Sequence, residues 1–193
     1  MRRAVLFFIL FLGVSSVFGQ SSKTLRTYGI TKKTETEVKY SGGLEVARYI
    51  EEIEIYNGEG DWVEKFTYDS GGELKLLEKR VYEKDEIIDE TTIDLNGSSM
   101  KSAKPPSFER ALYTYEKGDV VLERFLSKEG DVVEQKEFVY NKLGDLVEAI
   151  TKASGGEVME RETTEYDNRG LKIREQVFDS DGTLLKEKLF KYE

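Results

Sequence analysis

Short runs of alternating apolar and polar residues, each cut off by a glycine, fill most of this chain. After Gly144 come Asp145, Leu146, Val147, Glu148, Ala149, Ile150, Thr151 and Lys152; after Gly156 a run of the same kind ends on Tyr166. Alternation with period two, in segments rich in Val, Leu, Phe and Tyr, predicts β-strands of about eight residues. The interruptions keep time. Gly118, Gly130, Gly144, Gly156, Gly170 and Gly182 lie alternately 12 and 14 residues apart, so two runs make a unit of 26, and Tyr140, Tyr166 and Tyr192 recur at that period. A fixed period in this range marks stacked supersecondary units. Short strands with turn signals at this spacing predict an antiparallel meander.

The turns carry their own chemistry. Asn141 precedes Gly144, Asp167 precedes Gly170 and Asp179 precedes Gly182, each by three residues. Asn and Asp close a turn through the side chain, and Gly takes the positive φ that other residues resist. The same pattern appears upstream at Asn57 to Gly60 and Asp69 to Gly72. The run from Tyr82 to Ile88 matches that from Tyr115 to Val121 in type, 33 residues on instead of 26. The surplus falls at 96–106, which holds both prolines, Pro105 and Pro106, and reads as a loop inserted in one hairpin. Residues 21–40 read as a less regular lead-in with one strand. The total is eleven to thirteen strands.

Registered on their glycines, the units align Val63, Val121, Val147 and Ile173 in one column, Leu74, Val132, Val158 and Leu184 in a second, and Tyr82, Tyr140, Tyr166 and Tyr192 in a third. These columns are expected to carry most of the packing energy, about 1.5–3 kcal/mol per well-buried aliphatic side chain. Strand middles differ: Glu134 to Glu137, Glu160 to Glu162 and Lys186 to Lys188 are consecutive polar residues. Consecutive strand residues point to opposite faces, so charge sits mid-strand on both sides. A sandwich or filled barrel needs a dry face, and a transmembrane barrel tolerates few charges toward lipid. The fold expected is therefore all-β: one antiparallel, twisted or curled open sheet, with a half-barrel as the alternative, in which Glu and Lys ladders flank aliphatic and aromatic belts.

Tyr166, Asp167 and Gly170, with Tyr-Asn variants at Tyr56 and Tyr140, resemble the YD repeats of Rhs-type bacterial surface and secreted proteins. The likeness covers roughly residues 56–193 and implies an exported β-repeat protein whose sheet curls. The chain departs from that family in its 26-residue period, its lack of the usual Arg in most units and its short array, so a shell or toxin role does not carry over.

The N-terminus adds a location. Arg2 and Arg3, an apolar stretch to Val14, then Val17 and Gly19 make residues 1–19 a secretory signal, cleaved before Gln20, with 20–193 a single β-repeat domain. Export to the periplasm or exterior is expected, with no membrane span after removal of the signal. The chain carries a formal charge of −9, and loss of Arg2 and Arg3 deepens it by two. Such a surface repels nucleic acid and anionic headgroups. The high share of charged residues, 35%, with few Asn and Gln, resembles proteins from hot environments.

Neither Cys nor His occurs. Thiol and imidazole nucleophile, base and ligand chemistry is thereby excluded, and no cofactor or metal is expected. Asp179 to Gly182 lacks the downstream Glu of a calcium loop. Gly58 to Gly60 lacks the helix of a phosphate loop, and the Asn96–Ser98 sequon marks exposure. With 38 acidic residues, adjacent carboxylates such as Glu51 and Glu52 arise by composition. Two features stand out as a possible binding surface: the single tryptophan, Trp62, and the insertion with Pro105 and Pro106. The expected protein is non-enzymatic, a structural or interaction module of the cell envelope or exterior, with a protein or an envelope polymer as partner. The alternative is a carrier for a lipid or other apolar ligand in a half-barrel, which requires Val121, Val147, Ile173, Phe138 and Phe190 around one cavity. A carboxylate enzyme of glycosidase type is a third possibility. Lys186, Lys188 and Lys191 on the last strand are expected to guard a sheet edge and keep the chain monomeric.

Overall fold

A computed structural model describes residues 22–84, 86–95 and 110–193. The signal segment, the insertion at 96–106 with Pro105 and Pro106, and the sequon lie outside the described residues. The described chain begins with a six-residue helix, α1 (Ser22–Thr27), where the sequence suggested only an irregular lead-in to a strand. Five strands follow: β1 (Lys32–Ser41), β2 (Leu44–Tyr56), β3 (Trp62–Tyr68), β4 (Leu74–Glu83) and β5 (Glu86–Asp94). Seven more form the second half: β6 (Arg110–Glu116), β7 (Asp119–Leu126), β8 (Val132–Tyr140), β9 (Leu146–Ala153), β10 (Val158–Tyr166), β11 (Lys172–Asp179) and β12 (Leu184–Tyr192). All twelve make one antiparallel sheet in the order β5-β4-β3-β2-β1-β12-β11-β10-β9-β8-β7-β6, open between β5 and β6. The all-β meander, its strand count and its open form are as the sequence predicts.

The period has a structural cause. At its turn, Asn141 N–H donates to Asp145 O at 2.9 Å, Gly144 N–H donates back to Asn141 O at 3.2 Å, and Gly144 takes a φ of 89°. The Asn141 side-chain oxygen accepts from Leu143 N and Asp145 N at 2.8 and 3.0 Å. Asn57, Asp69, Asp167 and Asp179 accept in the same way at their turns. Each unit is then latched across its hairpin. The hydroxyls of Tyr82, Tyr140, Tyr166 and Tyr192 donate to the carbonyls of Trp62, Val120, Leu146 and Lys172 at 3.0, 2.8, 3.0 and 2.9 Å, always 20 residues back. Burial pushes the Tyr166 phenol up to about 12.

One expected packing column is corrected. Val63, Val121, Val147 and Ile173 are the extra residues of β-bulges, one per hairpin, facing no partner in the ladder. The remaining hairpins carry a bulge at the same place after the turn. Ile173 stays 37% exposed. A bulge adds local twist and bends its strand, so this column supplies curvature rather than core. Burial concentrates instead at Val38 and Leu171, both 0% exposed, with Leu25, Ala149 and Leu126 close behind.

The edge assignment is corrected too. β12 is not an edge strand. It pairs with β1 in the middle of the sheet, from Lys33 opposite Tyr192 to Lys39 opposite Lys186, and Glu193 brackets the junction through Thr31 N and Lys32 N at 2.7 and 3.1 Å. The lysines expected as gatekeepers are ladder residues: Lys188 lies 2.6 Å from Glu35 and Lys186 lies 3.1 Å from Glu37. The edges are β5 and β6, which contain no lysine.

Curling shows in one small cluster. Leu25 and Ile30 pack with Tyr56, at the end of β2, and Leu171, just before β11. On a flat sheet β2 and β11 lie three strand steps apart, about 14 Å at 4.7–4.9 Å per step. The same helix segment reaches both flanking turns: Arg26 Nη1 lies 2.7 Å from Glu59 Oε2, and the Arg169 guanidinium lies 5.8 Å from the Tyr28 ring. The bulged sheet wraps α1 at this end.

Candidate functional site

Under α1, on the face around which the sheet curls, lies a cavity of about 540 Å³. Its floor follows from strand register. Lys33 on β1 faces Glu54 on β2, Glu54 faces Lys65 on β3, and Lys65 faces Glu78 on β4, a row of alternating sign across four strands. Lys33 Nζ lies 2.6 Å from Glu54 and 3.3 Å from Glu52; Lys65 Nζ lies 2.9 Å from Glu54 and 3.5 Å from Glu52. Burial raises the Glu54 carboxyl, but Lys33, the Tyr56 hydroxyl and Lys65 outweigh it and hold it below the ordinary range. Burial raises Glu52 as well, and the adjacent Glu54 charge keeps it there. Desolvation, nearby charge and hydrogen bonding thus pull two neighbouring carboxyls apart.

The walls are aromatic. Trp62 opens β3, where the turn delivers it opposite Tyr56, and it packs against the α1 cluster. The Arg80 guanidinium sits 3.9 Å from the Trp62 ring centroid and Lys65 Nζ sits 5.1 Å from it, both within cation–π range. Arg80 is held from behind by Glu90, with Nε 2.8 Å from Oε1. Tyr82, whose hydroxyl binds the Trp62 carbonyl, and Leu25 of α1 complete the enclosure.

Elsewhere on the same face the charged grid continues. Burial raises Glu37, yet the Tyr49 hydroxyl, Lys186 and Lys39 bring it down to about 2. Lys136 on β8 reaches over β9 to Glu162 on β10 at 2.7 Å, above the small side chain of buried Ala149. Among the described residues, no group of three or more metal-ligating side chains is placed to hold an ion, and no helix is long and apolar enough to cross a membrane.

Trp62 therefore lies in a built cavity, and the second sequence candidate, Pro105 and Pro106, lies outside the described residues. The cavity is not the apolar pocket a lipid carrier needs. Val121, Val147, Ile173, Phe138 and Phe190 do not line it; Lys33, Glu54, Lys65, Glu78 and Arg80 do. Sequence reasoning missed these five because Lys, Arg and Glu are common here. A signal existed: folding the chain about the turn at Asn57 to Gly60, with its bulge, places Glu54 opposite Lys65.

No protein-family model matches this chain, and no curated protein matches its sequence. Among solved structures, it is similar to a DUF1329 family protein from Desulfovibrio piger, at 8% identity and a TM-score of 0.37, covering 87% of this chain and 88% of that one. It is also similar to a porin-like protein from Bacteroides uniformis, at 16% identity and a TM-score of 0.28, covering 77% of this chain and 54% of that one. At these scores the likenesses carry no functional argument.

Proposed function

We propose that this chain is an exported, non-enzymatic interaction module of the cell envelope or exterior, and that a protein segment or envelope polymer is held in the cavity beside Trp62. The observation that carries this is the cavity's lining: an aromatic wall over a floor of ion-paired side chains on the sheet. Buried ion pairs stabilise a fold weakly, because desolvation offsets their attraction. A sheet needing only stability gains more from apolar side chains at these positions. Concave sites with a few convergent polar groups are the usual form of ligand pockets. The N-terminal signal pattern and the YD-like repeat support export.

The test is capture. The mature chain and its Trp62→Ala variant are immobilised and exposed to periplasmic, peptidoglycan and outer-surface fractions. Capture of a component by the wild type and its loss in the variant are expected. Equal capture by both, or hydrolysis of the captured material by the purified chain, overturns the reading.

A further inference from the structure

Building on that binding-module reading, we propose that the ligand class of the Trp62 cavity is a neutral carbohydrate chain. Each cation at the site already faces a carboxylate: Lys33 and Lys65 face Glu52 and Glu54, and Arg80 faces Glu90. An anionic ligand must displace a carboxylate from its lysine, and it also meets the further lining carboxylates Asp61 and Glu78, so an anion is disfavoured.

The paired groups are not saturated. An ammonium has three donors and a carboxylate about four acceptor positions. Pairing uses some of each, so the floor presents spare donors and acceptors side by side. A hydroxyl both donates and accepts, and adjacent ring hydroxyls meet such a floor at two points. An aliphatic ligand strips water from these ions and returns no hydrogen bond, which disfavours it. Trp62, with the Arg80 guanidinium over one part of its ring, and Tyr82 add apolar aromatic surface to the wall above that floor. A pyranose ring, with C–H groups on its faces and hydroxyls around its rim, matches both surfaces at once. A volume of about 540 Å³ falls inside the range of small-molecule sites, about 300–1,000 Å³.

Trp62 is the single tryptophan of the chain, so intrinsic fluorescence reports this cavity alone. The mature chain is titrated with hexasaccharides of glucose, mannose, xylose and N-acetylglucosamine, with an oligogalacturonate as the anionic arm and dodecanoate as the apolar arm. A saturable emission change with at least one neutral sugar is expected. By calorimetry, Glu54→Gln and Trp62→Phe, each checked for native circular dichroism, should bind that sugar at least tenfold more weakly. A response to oligogalacturonate or dodecanoate but not to neutral sugars overturns the ligand class and leaves the binding-module reading standing. Silence of every arm, while Trp62→Ala abolishes capture of an envelope protein, also overturns the sugar assignment alone. Silence of every arm together with unchanged capture by Trp62→Ala overturns both.

Discussion

Two turn glycines in the same backbone state allow the docking of α1 to be weighed. Gly60 and Gly144 both close Asn-initiated turns, with φ of 86° and 89°. Alanine at either position pays the left-handed strain of an L-residue, about 1–2 kcal/mol. The surroundings differ. A Cβ on Gly144 meets nothing within 4 Å, whereas a Cβ on Gly60 runs into the Ser22 carbonyl oxygen and comes within 3.0 Å of Arg26 N. Both are backbone atoms of α1, so the helix itself must move. Leu25, 2% exposed in place, then loses its seat, a further cost of about 1.5–3 kcal/mol. The strain cancels between the two, so Gly60→Ala is expected to destabilise by about 1.5–3 kcal/mol more than Gly144→Ala. In a chain of this size that is about 3–12 °C in Tm. Urea titrations followed by circular dichroism and by Trp62 fluorescence measure it. Native Trp62 emission should shift to the red in Gly60→Ala alone, since Leu25 is part of the wall around it. Equal costs for the two variants within about 0.5 kcal/mol, the usual additivity error, or unchanged Trp62 emission, refute the seating of α1 on this turn.

Tyr166→Phe removes one donor to the Leu146 carbonyl and should cost about 1 kcal/mol, the net worth of one hydrogen bond; a chemical denaturation midpoint unchanged from wild type counts against the latch. Ala153 occupies the position that Asn or Asp fills at five other turns, with backbone bonds alone. Ala153→Asn should therefore raise stability by about 0.5–1 kcal/mol, read as an increase in Tm. The Glu37 carboxyl is held at about 2 in the folded chain against about 4.3 unfolded. Its contribution is present above the unfolded value and lost as pH falls toward 2, so Glu37→Gln should be less stable than wild type at pH 7 and nearly equal at pH 2. Conversely, with the Tyr166 phenol raised to about 12 against about 10 unfolded, its contribution is intact below pH 10 and declines from there to about 12; Tyr166→Phe should flatten that alkaline limb. β5 and β6 lack lysine, so Ile88→Lys and Leu112→Lys should together raise the temperature at which light scattering detects aggregation.

The sequence by itself determined the unit. Its information is local: a turn closes between residues three and four apart, a bulge follows at a fixed offset, and a tyrosine reaches a carbonyl 20 residues back. Each step is enforced by residue types whose conformations or hydrogen bonds are distinctive, which is why Asn141, Gly144 and Tyr166 announce their roles unaided. Strand number, antiparallel order within each half and wet faces follow from repeating that unit. The union of β1 with β12 is different in kind. It joins residues more than 140 positions apart through backbone bonds that any alternating strand offers equally, and nothing in Lys186 or Lys188 distinguishes a central partner from an edge guard. That pairing moves the edges to β5 and β6. With the bulges, it curls the sheet around α1, whose six residues are too few to stand as a helix without packing. The cavity exists for the same reason. Trp62 could be singled out in the chain, but Lys33, Glu54 and Arg80 became its neighbours only when register and curvature brought common charged residues, each unremarkable alone, against one indole.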